Sequence, residues 1–268
     1  MIVRMEQRPV VCVLGHRGML GHVVVRYLQE QGWSVATVAT RFQSGNASAF
    51  MRDLLSHRPE WVINCAGLKT ADSMERLHEV NSSLPEVCAT LLPPSVRLIH
   101  ASSDAVFGPW LPNRRDAELP DAEDPYGRSK CAAEAALRSQ RCFIIRCSIV
   151  GPEVSTNRNL LSWFLSERSE ATGYMNHSWN GITTLEWASL CCRIMAGAHG
   201  IARPLLQPGI WPATTKYELL RLARKVWLQG PVVRPAESRD PVYRTLVPNV
   251  ESPALPEQLM RLKQWYRP

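Results

Sequence analysis

Short apolar runs alternate with amphipathic stretches through the first half of the chain. The apolar runs, rich in Val, Ile, Leu and Cys, are typical of strands that are buried on both faces of a sheet. They predict strands near residues 10–14, 34–39, 61–65, 96–101 and 142–148, with helices near 19–31, 47–56, 79–91 and 126–138. Strands that alternate with helices in this way predict an α/β fold with a doubly wound parallel sheet of the Rossmann type.

The pattern breaks up after Gly151, where Pro, Trp and short helical segments dominate. The clearest predicted helices in this part lie near residues 183–196, 216–227 and 256–265. Thr215 and Glu218 are spaced as in a capping box, which marks the start of the second of these helices. We therefore expect a sheet domain over residues 1–150 and a smaller mixed lobe over residues 151–268, with exchange of segments between them allowed.

The composition is that of a folded globular protein, with 45% hydrophobic and 21% charged residues among 268. No apolar run approaches the roughly 18 residues that a membrane-spanning helix needs. The first residues are too polar for a secretory signal, so we expect a cytoplasmic protein without membrane contact. The eight cysteines form neither a CxxC pair nor a Cys/His cluster, which predicts reduced core thiols and no metal site.

The charge balance is basic, with 31 Lys and Arg against 24 Asp and Glu, a formal net charge of +7. These charges are scattered and form no basic block, so the sequence does not favour a nucleic-acid partner. Arginine carries most of the excess, and its planar guanidinium suits phosphate groups. The milder interpretation is a site for a phosphate-bearing small molecule.

A glycine motif follows the first predicted strand. Gly15, Gly18 and Gly21 are spaced as G-x-x-G-x-x-G and lead into an amphipathic helix. Such glycines allow a tight turn, close approach of a pyrophosphate and close packing of helix on strand. The helix N-terminus then faces the phosphates. The alternative is a purely structural turn, but the strand before the motif and the helix after it favour dinucleotide binding.

Two arginines indicate which dinucleotide binds. A site for NAD usually has an acidic residue at the end of the second strand, where it holds the ribose 2′-hydroxyl. Arg41 lies where that acid would be, and Arg17 lies inside the glycine motif. Two cations beside a 2′-phosphate favour NADPH, although both side chains could instead be simply solvated.

A Tyr-x-x-x-Lys pair lies in the last predicted helix of the sheet domain. Tyr126 and Lys130 are four residues apart and share one helix face, so the ammonium can favour the ionised phenol. A tyrosine in that setting can act as general acid or base towards a carbonyl oxygen. Ser103 follows the fourth predicted strand and is expected to bond the same oxygen.

Several residues of the second half are candidates for substrate contact. Trp179 could stack on a base or sugar and Asn180 could bond a hydroxyl or phosphate, but a structural turn with a buried Trp explains them equally well. Lys216, at a predicted helix start, could meet a diphosphate, and a solvated lysine is the alternative. Asn81 and Asp72 are interpreted as groups that fix a helix end and a loop.

The chain resembles the extended short-chain dehydrogenase/reductases over nearly its whole length. The resemblance rests on the glycine motif, residues 64–67, 80–81 and 102–108, the Tyr126/Lys130 pair and residues 146–151. Residues 72–75 and 179–186 make it most similar to the sugar-nucleotide 4-ketoreductases of the dTDP-4-dehydrorhamnose reductase type. The resemblance implies Ser103, Tyr126 and Lys130 as the catalytic residues. The implied NADPH site, where NADH could also bind, comprises Gly15, Arg17, Gly18, Met19, Leu20, Arg41, Cys65, Ala66, Gly67, Tyr126 and Lys130.

Departures from related families narrow the expected reaction. Asp104 is followed by Ala105, so the acid pair of the 4,6-dehydratases is missing, and Asp104 stands where GDP-fucose synthases carry a cysteine. Both point to simple reduction. The resemblance implies that the group reduced is the 4-keto group of a nucleoside-diphosphate 6-deoxysugar, and Asp104, Trp179, Asn180 and Lys216 are the residues expected to touch it. The residues at two positions, Ser103 and Leu68, differ from those common in the rhamnose reductases, so the resemblance does not identify the particular sugar. The alternatives are an NAD-dependent nucleotide-sugar epimerase and a non-catalytic NADP-binding regulatory subunit. The sequence leaves the oligomeric state open, with a homodimer as one option.

Overall fold

The computed structural model describes residues 9–138, 142–167, 169–198 and 204–266, so the polar start of the chain, residues 1–8, lies outside it. Its strands are β1 (Val10–Leu14), β2 (Ser34–Thr37), β3 (Trp61–Asn64), β4 (Arg97–Ala101), β5 (Cys142–Ile145), β6 (Ile149–Val150), β7 (Glu170–Tyr174), β8 (His177–Trp179), β9 (Ile182–Thr183), β10 (Leu205–Leu206), β11 (Thr214–Thr215), β12 (Val232–Ala236) and β13 (Val242–Arg244). Its α-helices are α1 (Gly21–Glu30), α2 (Ala47–Ser56), α3 (Met74–His78), α4 (Leu84–Leu91), α5 (Pro125–Leu137), α6 (Leu160–Ser166), α7 (Thr184–Met195), α8 (Lys216–Trp227) and α9 (Leu255–Tyr266).

A six-stranded sheet with the order β10-β5-β4-β3-β1-β2 forms the centre of the molecule, and its paired strands all run parallel. Alternate residues of its strands enter two different clusters of buried side chains. Side chains of α1 and α7 pack on one face, and side chains of α2, α4 and α5 pack on the other. This arrangement confirms the predicted doubly wound α/β fold.

The helix predicted over residues 79–91 differs from the one observed. Residues Glu79–Ser83 form a π-helical turn, and α4 begins only at Leu84. The preceding α3 was not predicted, and Ser73 caps it by accepting the Arg76 backbone N–H at 3.1 Å. A wide turn of this kind re-aims the side chains that it carries, and π-turns are frequent at functional sites. Asn81 lies in this turn and is buried.

The second half of the chain folds back onto the sheet. β10 supplies the sixth strand of the central sheet, next to β5, and β6 pairs with β9. β8 lies between β11 and β13, and β12 pairs with β7. Trp187, Leu220 and Leu259 share one buried cluster with β1 and α1. The two halves therefore share a hydrophobic core instead of forming separate modules.

The described residues contain no helix long and apolar enough to cross a lipid bilayer. All eight cysteines are free thiols, and five of them are buried. Burial raises the pKa of Cys12 to about 12 and that of Cys142 to about 11, which keeps both in the neutral form. These cysteines pack as small apolar side chains.

Candidate functional site

The turn after β1 brings glycine backbone against the end of β3. Gly15 has a φ of +73°, in the left-handed region that favours glycine, and a Cβ there would lie 2.6 Å from the Ala66 nitrogen. A Cβ on Gly21 would lie 2.1 Å from the Gly15 carbonyl oxygen. Both positions therefore require glycine. No side chain caps the N-terminus of α1.

The residues between these two glycines differ in exposure. Arg17 and Gly18 are exposed and Met19 is half-buried, so all three are open to a ligand at the turn. Leu20 is buried in the core, which leaves only its backbone for such a role. The Gly18 N–H donates to the Gly15 carbonyl at 2.9 Å, and this bond holds the turn in shape.

The end of β3 forms the other wall of the cleft. Cys65 and Ala66 are half-buried and Gly67 is exposed, and the Ala66 N–H donates to the Asn64 side chain at 3.0 Å. β1 lies between β2 and β3, so the order of strands along the sheet reverses beside these residues. In open α/β sheets, ligands bind at the carboxyl ends of the strands where the order reverses.

The end of β2 carries the second arginine of the predicted cofactor site. Arg41 is exposed, as is Arg17, whose charge together with burial lowers the pKa of His16. The nearby acid is Asp53 of α2, which accepts the Thr40 backbone N–H at 2.7 Å. That bond lowers the pKa of Asp53. Asp53, the acidic group near the end of β2, therefore fixes the loop after that strand. The exposed charges beside it, those of Arg17 and Arg41, are positive.

Ser103 and Tyr126 meet at the carboxyl end of β4. Ser103 is 7% exposed; its hydroxyl donates to the Asp104 carboxylate at 3.0 Å and accepts the Ala105 backbone N–H at 3.1 Å. The Tyr126 phenol lies close enough to the Ser103 hydroxyl for that group to lower its pKa. Asp124 caps α5 by accepting the Gly127 N–H at 2.9 Å, which fixes the first turn that carries Tyr126.

Lys130 lies one helical turn beyond Tyr126 and is almost completely buried. Its ammonium donates to the Ala101 carbonyl at 3.1 Å and lies 6.0 Å from the centre of the Tyr126 ring. A Cβ on Gly67 would lie 3.3 Å from the same nitrogen, so Lys130 faces the end of β3. Burial lowers the pKa of Lys130 to about 8.

The expectation that Lys130 favours the ionised Tyr126 phenol does not agree with the structure. Burial raises the pKa of Tyr126 to about 12; the nearby Ser103 hydroxyl lowers it and the Asp104 charge raises it further. The Lys130 ammonium donates to the Ala101 carbonyl and lies 6.0 Å from the ring centre, and it is not among the groups that shift the pKa of Tyr126. Tyr126 is therefore protonated at neutral pH, which suits a proton donor.

Asp104 and Lys216 face each other across the space between the sheet and the second lobe. Asp104 is 6% exposed, and its Oδ2 has no hydrogen-bond partner among the described residues. Burial lowers the pKa of Lys216 to about 8; the Asp104 charge opposes this shift, and the charges of Lys69 and Arg244 add to it. The charges of Asp104, Lys69 and Arg244 thus all act on Lys216, and the excess of cations there suits an anion with several charges.

The chain matches the family described as the RmlD substrate binding domain over residues 9–173, more than half of its length. It belongs to that family. A solved dTDP-4-dehydrorhamnose reductase from Bacillus anthracis, in complex with NADP, superposes with a TM-score of 0.81 at 16% identity, covering 96% of this chain and 99% of that one. The corresponding enzyme from Yersinia enterocolitica gives a TM-score of 0.73 at 15% identity, covering 97% and 100%.

Curated relatives of this RmlD-family chain are similar over a shorter stretch. A probable dTDP-4,6-dihydroxy-2-methyloxan-3-one 4-ketoreductase from Streptomyces antibioticus is 34% identical over 139 residues, which is 47% of this chain and 45% of the relative. The methionine adenosyltransferase 2 subunit beta of Xenopus tropicalis is 28% identical over 138 residues, 47% and 41% of the two chains. The match thus spans less than half of each relative.

Two residues predicted to touch substrate have other partners in this RmlD-family structure. Trp179 is 2% exposed and lies in the main core, with the Lys216 ammonium 5.8 Å from its ring centre, so no face is open for stacking on a ligand. The Asn180 side chain donates to the Leu246 carbonyl at 2.7 Å and accepts the Leu246 N–H at 3.0 Å. Both side chains therefore stabilise the second lobe, and the structural alternative is favoured.

Sequence reasoning missed two residues at the edge of the cleft. Arg244, at the end of β13, donates to the Phe107 carbonyl at 2.8 Å and lies close enough to Lys216 to lower its pKa. Lys69 is exposed in the loop after β3 and has the same effect. Neither belongs to a recognisable motif, so only the fold brings them together. Asn81 holds that loop by accepting the Leu68 N–H and donating to its carbonyl, each at 2.8 Å.

No cluster of three or more potential metal ligands occurs in the ranges that the structure describes. His177, at the start of β8, forms a hydrogen bond with the Ser238 hydroxyl at 2.8 Å and stacks on Tyr174. Burial, together with the Lys216 charge, lowers the pKa of His177. Within the described ranges, the acid–base groups nearest Ser103 include Tyr126, Lys130 and Asp104.

Proposed function

We propose that this protein reduces the 4-keto group of a nucleoside-diphosphate 6-deoxy-4-ketosugar with a hydride from NADPH. The observation that carries the proposal is the meeting of Ser103, Tyr126 and Lys130 at the same sheet edge as the glycine turn. The Streptomyces relative, named as a probable 4-ketoreductase, and the Bacillus reductase solved with NADP support the same reaction.

The glycine turn fits a dinucleotide. Side chains on Gly15 or Gly21 would collide with backbone at 2.6 and 2.1 Å, so the turn brings the backbone close to the end of β3 and to the start of α1. Arg17 and Arg41 are exposed at the strand ends that flank this cleft and suit the 2′-phosphate of NADPH. The bound nucleotide supplies a hydride to the carbonyl carbon.

The side chains of the protein carry out the remaining steps of the proposed reduction. Tyr126 donates its proton to the carbonyl oxygen as the C–H bond forms, so ketone, hydride and proton yield the alcohol. Ser103, whose hydroxyl lies beside that phenol, would donate a hydrogen bond that stabilises the negative charge developing on the oxygen. Lys130 uses one N–H bond on Ala101 and has two more for ribose hydroxyls.

The sugar nucleotide is proposed to lie between the sheet and the second lobe. Lys69, Lys216 and Arg244 would hold the diphosphate, because they are the cations whose charges converge in that space. The unpartnered Oδ2 of Asp104 would accept a hydrogen bond from a sugar hydroxyl beside the reacting carbon. The cytoplasmic location and the homodimer stay predictions, and gel filtration of the purified protein tests the second.

The direct test is turnover of purified protein with NADPH and a panel of dTDP-, GDP- and UDP-linked 4-keto sugars. We expect loss of NADPH absorbance with at least one sugar, and the proposal fails if every sugar leaves the absorbance unchanged. Tightly retained NAD without use of added NADPH would favour the epimerase alternative. Because similarity extends to methionine adenosyltransferase 2 subunit beta, NADP binding without turnover would favour a regulatory subunit.

A further inference from the structure

A buried carboxylate lies next to the proposed catalytic residues. Glu134 follows Lys130 by four residues on α5, as Lys130 follows Tyr126, so all three point to the same side of the helix. Glu134 is only 1% exposed. A charged side chain is seldom buried this completely unless it is paired.

The partners of Glu134 come from the ends of two neighbouring strands. Arg146, which directly follows β5 and is fully buried, donates from Nε at 3.0 Å and from Nη2 at 2.5 Å. The hydroxyl of Ser102, which directly follows β4, donates to the same carboxylate at 2.5 Å. Ser102 precedes the proposed catalytic Ser103, so Glu134 ties the serine segment to the helix that carries Tyr126 and Lys130.

The same network reaches the second half of the chain. Arg146 also donates to the side chain of Gln207, which directly follows β10, at 3.1 Å. Gln207 in turn donates to the Val247 carbonyl at 3.1 Å. Side chains at the carboxyl ends of three adjacent strands are therefore joined beneath α5. Burial of an ion pair seldom adds to stability, because desolvation offsets the attraction, so stability does not explain this pair.

The charge of Glu134 acts on Lys130. Among the described residues, the titratable groups that interact with the Lys130 ammonium are Cys65 after β3, His100 of β4, and Tyr126 and Glu134 of α5. Burial lowers the pKa of Lys130 to about 8, and Glu134 and Cys65 oppose that shift. Burial raises the pKa of Cys65 and lowers that of His100, so both are neutral. Glu134 is thus the acid that offsets the buried ammonium.

We propose that Glu134 is a positioning residue for the reduction, which aligns the Ser103 segment with α5 and keeps the buried Lys130 ammonium charged beside the cofactor cleft. This inference rests on the proposed function. Arg146 fixes the carboxylate in a bidentate pair, while the charge that acts on the pKa of Lys130 is that of Glu134. Neither residue touches the cleft itself, because both are fully covered by protein.

Two variants separate the charge of Glu134 from its part in folding. Glu134→Gln leaves the Arg146 charge buried and unpaired, and this is expected to destabilise the fold strongly. The double variant Glu134→Leu/Arg146→Met replaces the pair by apolar side chains of similar size, which folded proteins often tolerate. Glu186→Gln is the control, because Glu186 is a buried carboxylate of α7 that pairs with Arg193 and Arg261 at 3.5 Å.

The measurement is the pH dependence of kcat for the wild type, the double variant and the control, each checked for folding by thermal melting. Wild-type activity should fall as the pH rises through about 8, where Lys130 loses its proton. In the double variant this fall should begin about one pH unit lower, and Glu186→Gln should keep the wild-type profile. A folded double variant with the wild-type profile overturns the inference, as does a uniform loss of kcat without a shift.

Binding of NADPH, followed by tryptophan fluorescence, tests the inference without a sugar substrate. Lys130 faces Gly67 at the cofactor cleft, so loss of its charge should weaken NADPH binding. The weakening should begin about one pH unit lower in the double variant than in the wild type or Glu186→Gln. A protein that binds NADPH with this shift but reduces no sugar refutes the proposed function and supports the role of Glu134. Identical binding profiles overturn that role.

Discussion

At the scale of single residues, the phenol of Tyr126 is the group on which the proposed reduction depends. Burial raises its pKa to about 12, so Tyr126 holds its proton at neutral pH and can pass it to a carbonyl oxygen. Tyr126→Phe removes that proton and should lower kcat by about 10²–10⁴-fold. NADPH affinity should change little, because the glycine turn is untouched. Steady-state kinetics with a titration of NADPH check both parts, and a fully active variant would refute the assignment.

Lys216 is expected to act on substrate binding and not on the chemical step. Its ammonium lies in the space where the charges of Lys69 and Arg244 converge. Lys216→Gln should raise KM about tenfold or more, since a charge-assisted hydrogen bond is worth about 1.5–3 kcal/mol, and should leave kcat nearly unchanged. Lys225→Gln, an exposed position on the same helix, is the control and should leave KM unaltered. A lowered kcat at constant KM would contradict this role.

The pH dependence of substrate binding follows from the same residue. Burial lowers the pKa of Lys216 to about 8, so its positive charge is present below pH 8 and is lost as the pH rises through that value. The KM of the wild type should therefore rise above pH 8. In Lys216→Gln the KM should be high at all pH values and should no longer rise above pH 8. Kinetics of both proteins across pH 6–10 measure the difference, and an unchanged rise in the variant would argue against Lys216.

Which site residues can be predicted from sequence depends on what each residue contacts. Ser103, Tyr126 and Lys130 belong to local motifs, and the structure brings them together. In the sequence, Trp179 and Asn180 looked as much like site residues as those three did. Their partners, however, lie far away along the chain, as Leu246 does for Asn180. Glu134 has the spacing of an ordinary helix residue, and only its buried pairing with Arg146 distinguishes it. Burial and distant contacts are properties that a local pattern does not record.

At the scale of secondary structure, prediction succeeded where the elements have a strong period. The strands β1 to β5 and the helices α1, α2, α5, α7, α8 and α9 all occur within a few residues of the predicted ranges. The strands β6 to β13 were not predicted, because several have only two or three residues. Strands this short form only when distant partners supply hydrogen bonds, as β10 does by pairing with β5.

The glycine turn allows a matched test of nucleotide binding. A Cβ on Gly18 would lie 3.3 Å from the Gly15 carbonyl oxygen, a tight contact in the middle of the turn. Gly18→Ala should therefore weaken NADPH binding about tenfold, because the added methyl group obstructs the approach of the pyrophosphate. Gly45→Ala, where nothing lies within 4 Å of the added atom, is the control. Isothermal titration with NADPH measures both, and equal affinities would refute the predicted phosphate position.

The C-terminal helix also supports that turn. His22 of α1 donates from Nδ1 to the Gly18 carbonyl at 2.8 Å, so its Nε2 accepts from the hydroxyl of Tyr266 in α9 at 2.5 Å. Tyr266→Phe should cost about 0.5–1.5 kcal/mol in the free energy of unfolding and weaken NADPH binding a few-fold. Urea unfolding and NADPH titration test this pair of effects. A variant that is destabilised but binds NADPH normally would limit Tyr266 to a structural role.

At the scale of the whole molecule, the two halves share one core, so ligand binding in the cleft should stabilise the entire fold. Side chains from β1, α7, α8 and α9 belong to the same buried cluster. A ligand that binds only the native state adds RT ln(1 + [L]/Kd), about 2.7 kcal/mol at 100 times Kd. NADPH should therefore raise the melting temperature in a single transition, and NADH at equal concentration should raise it less.

The arginines at the strand ends explain that difference between the two nucleotides. Arg17 and Arg41 are exposed at the cleft, and the 2′-phosphate that distinguishes NADPH from NADH can pair with either guanidinium. In Arg17→Gln/Arg41→Gln the advantage of NADPH over NADH should disappear, whereas Arg52→Gln, exposed on α2, should preserve it. Thermal melting with each nucleotide compares the three proteins. If the double variant still prefers NADPH, the 2′-phosphate is held by other groups and the cofactor assignment to these arginines is wrong.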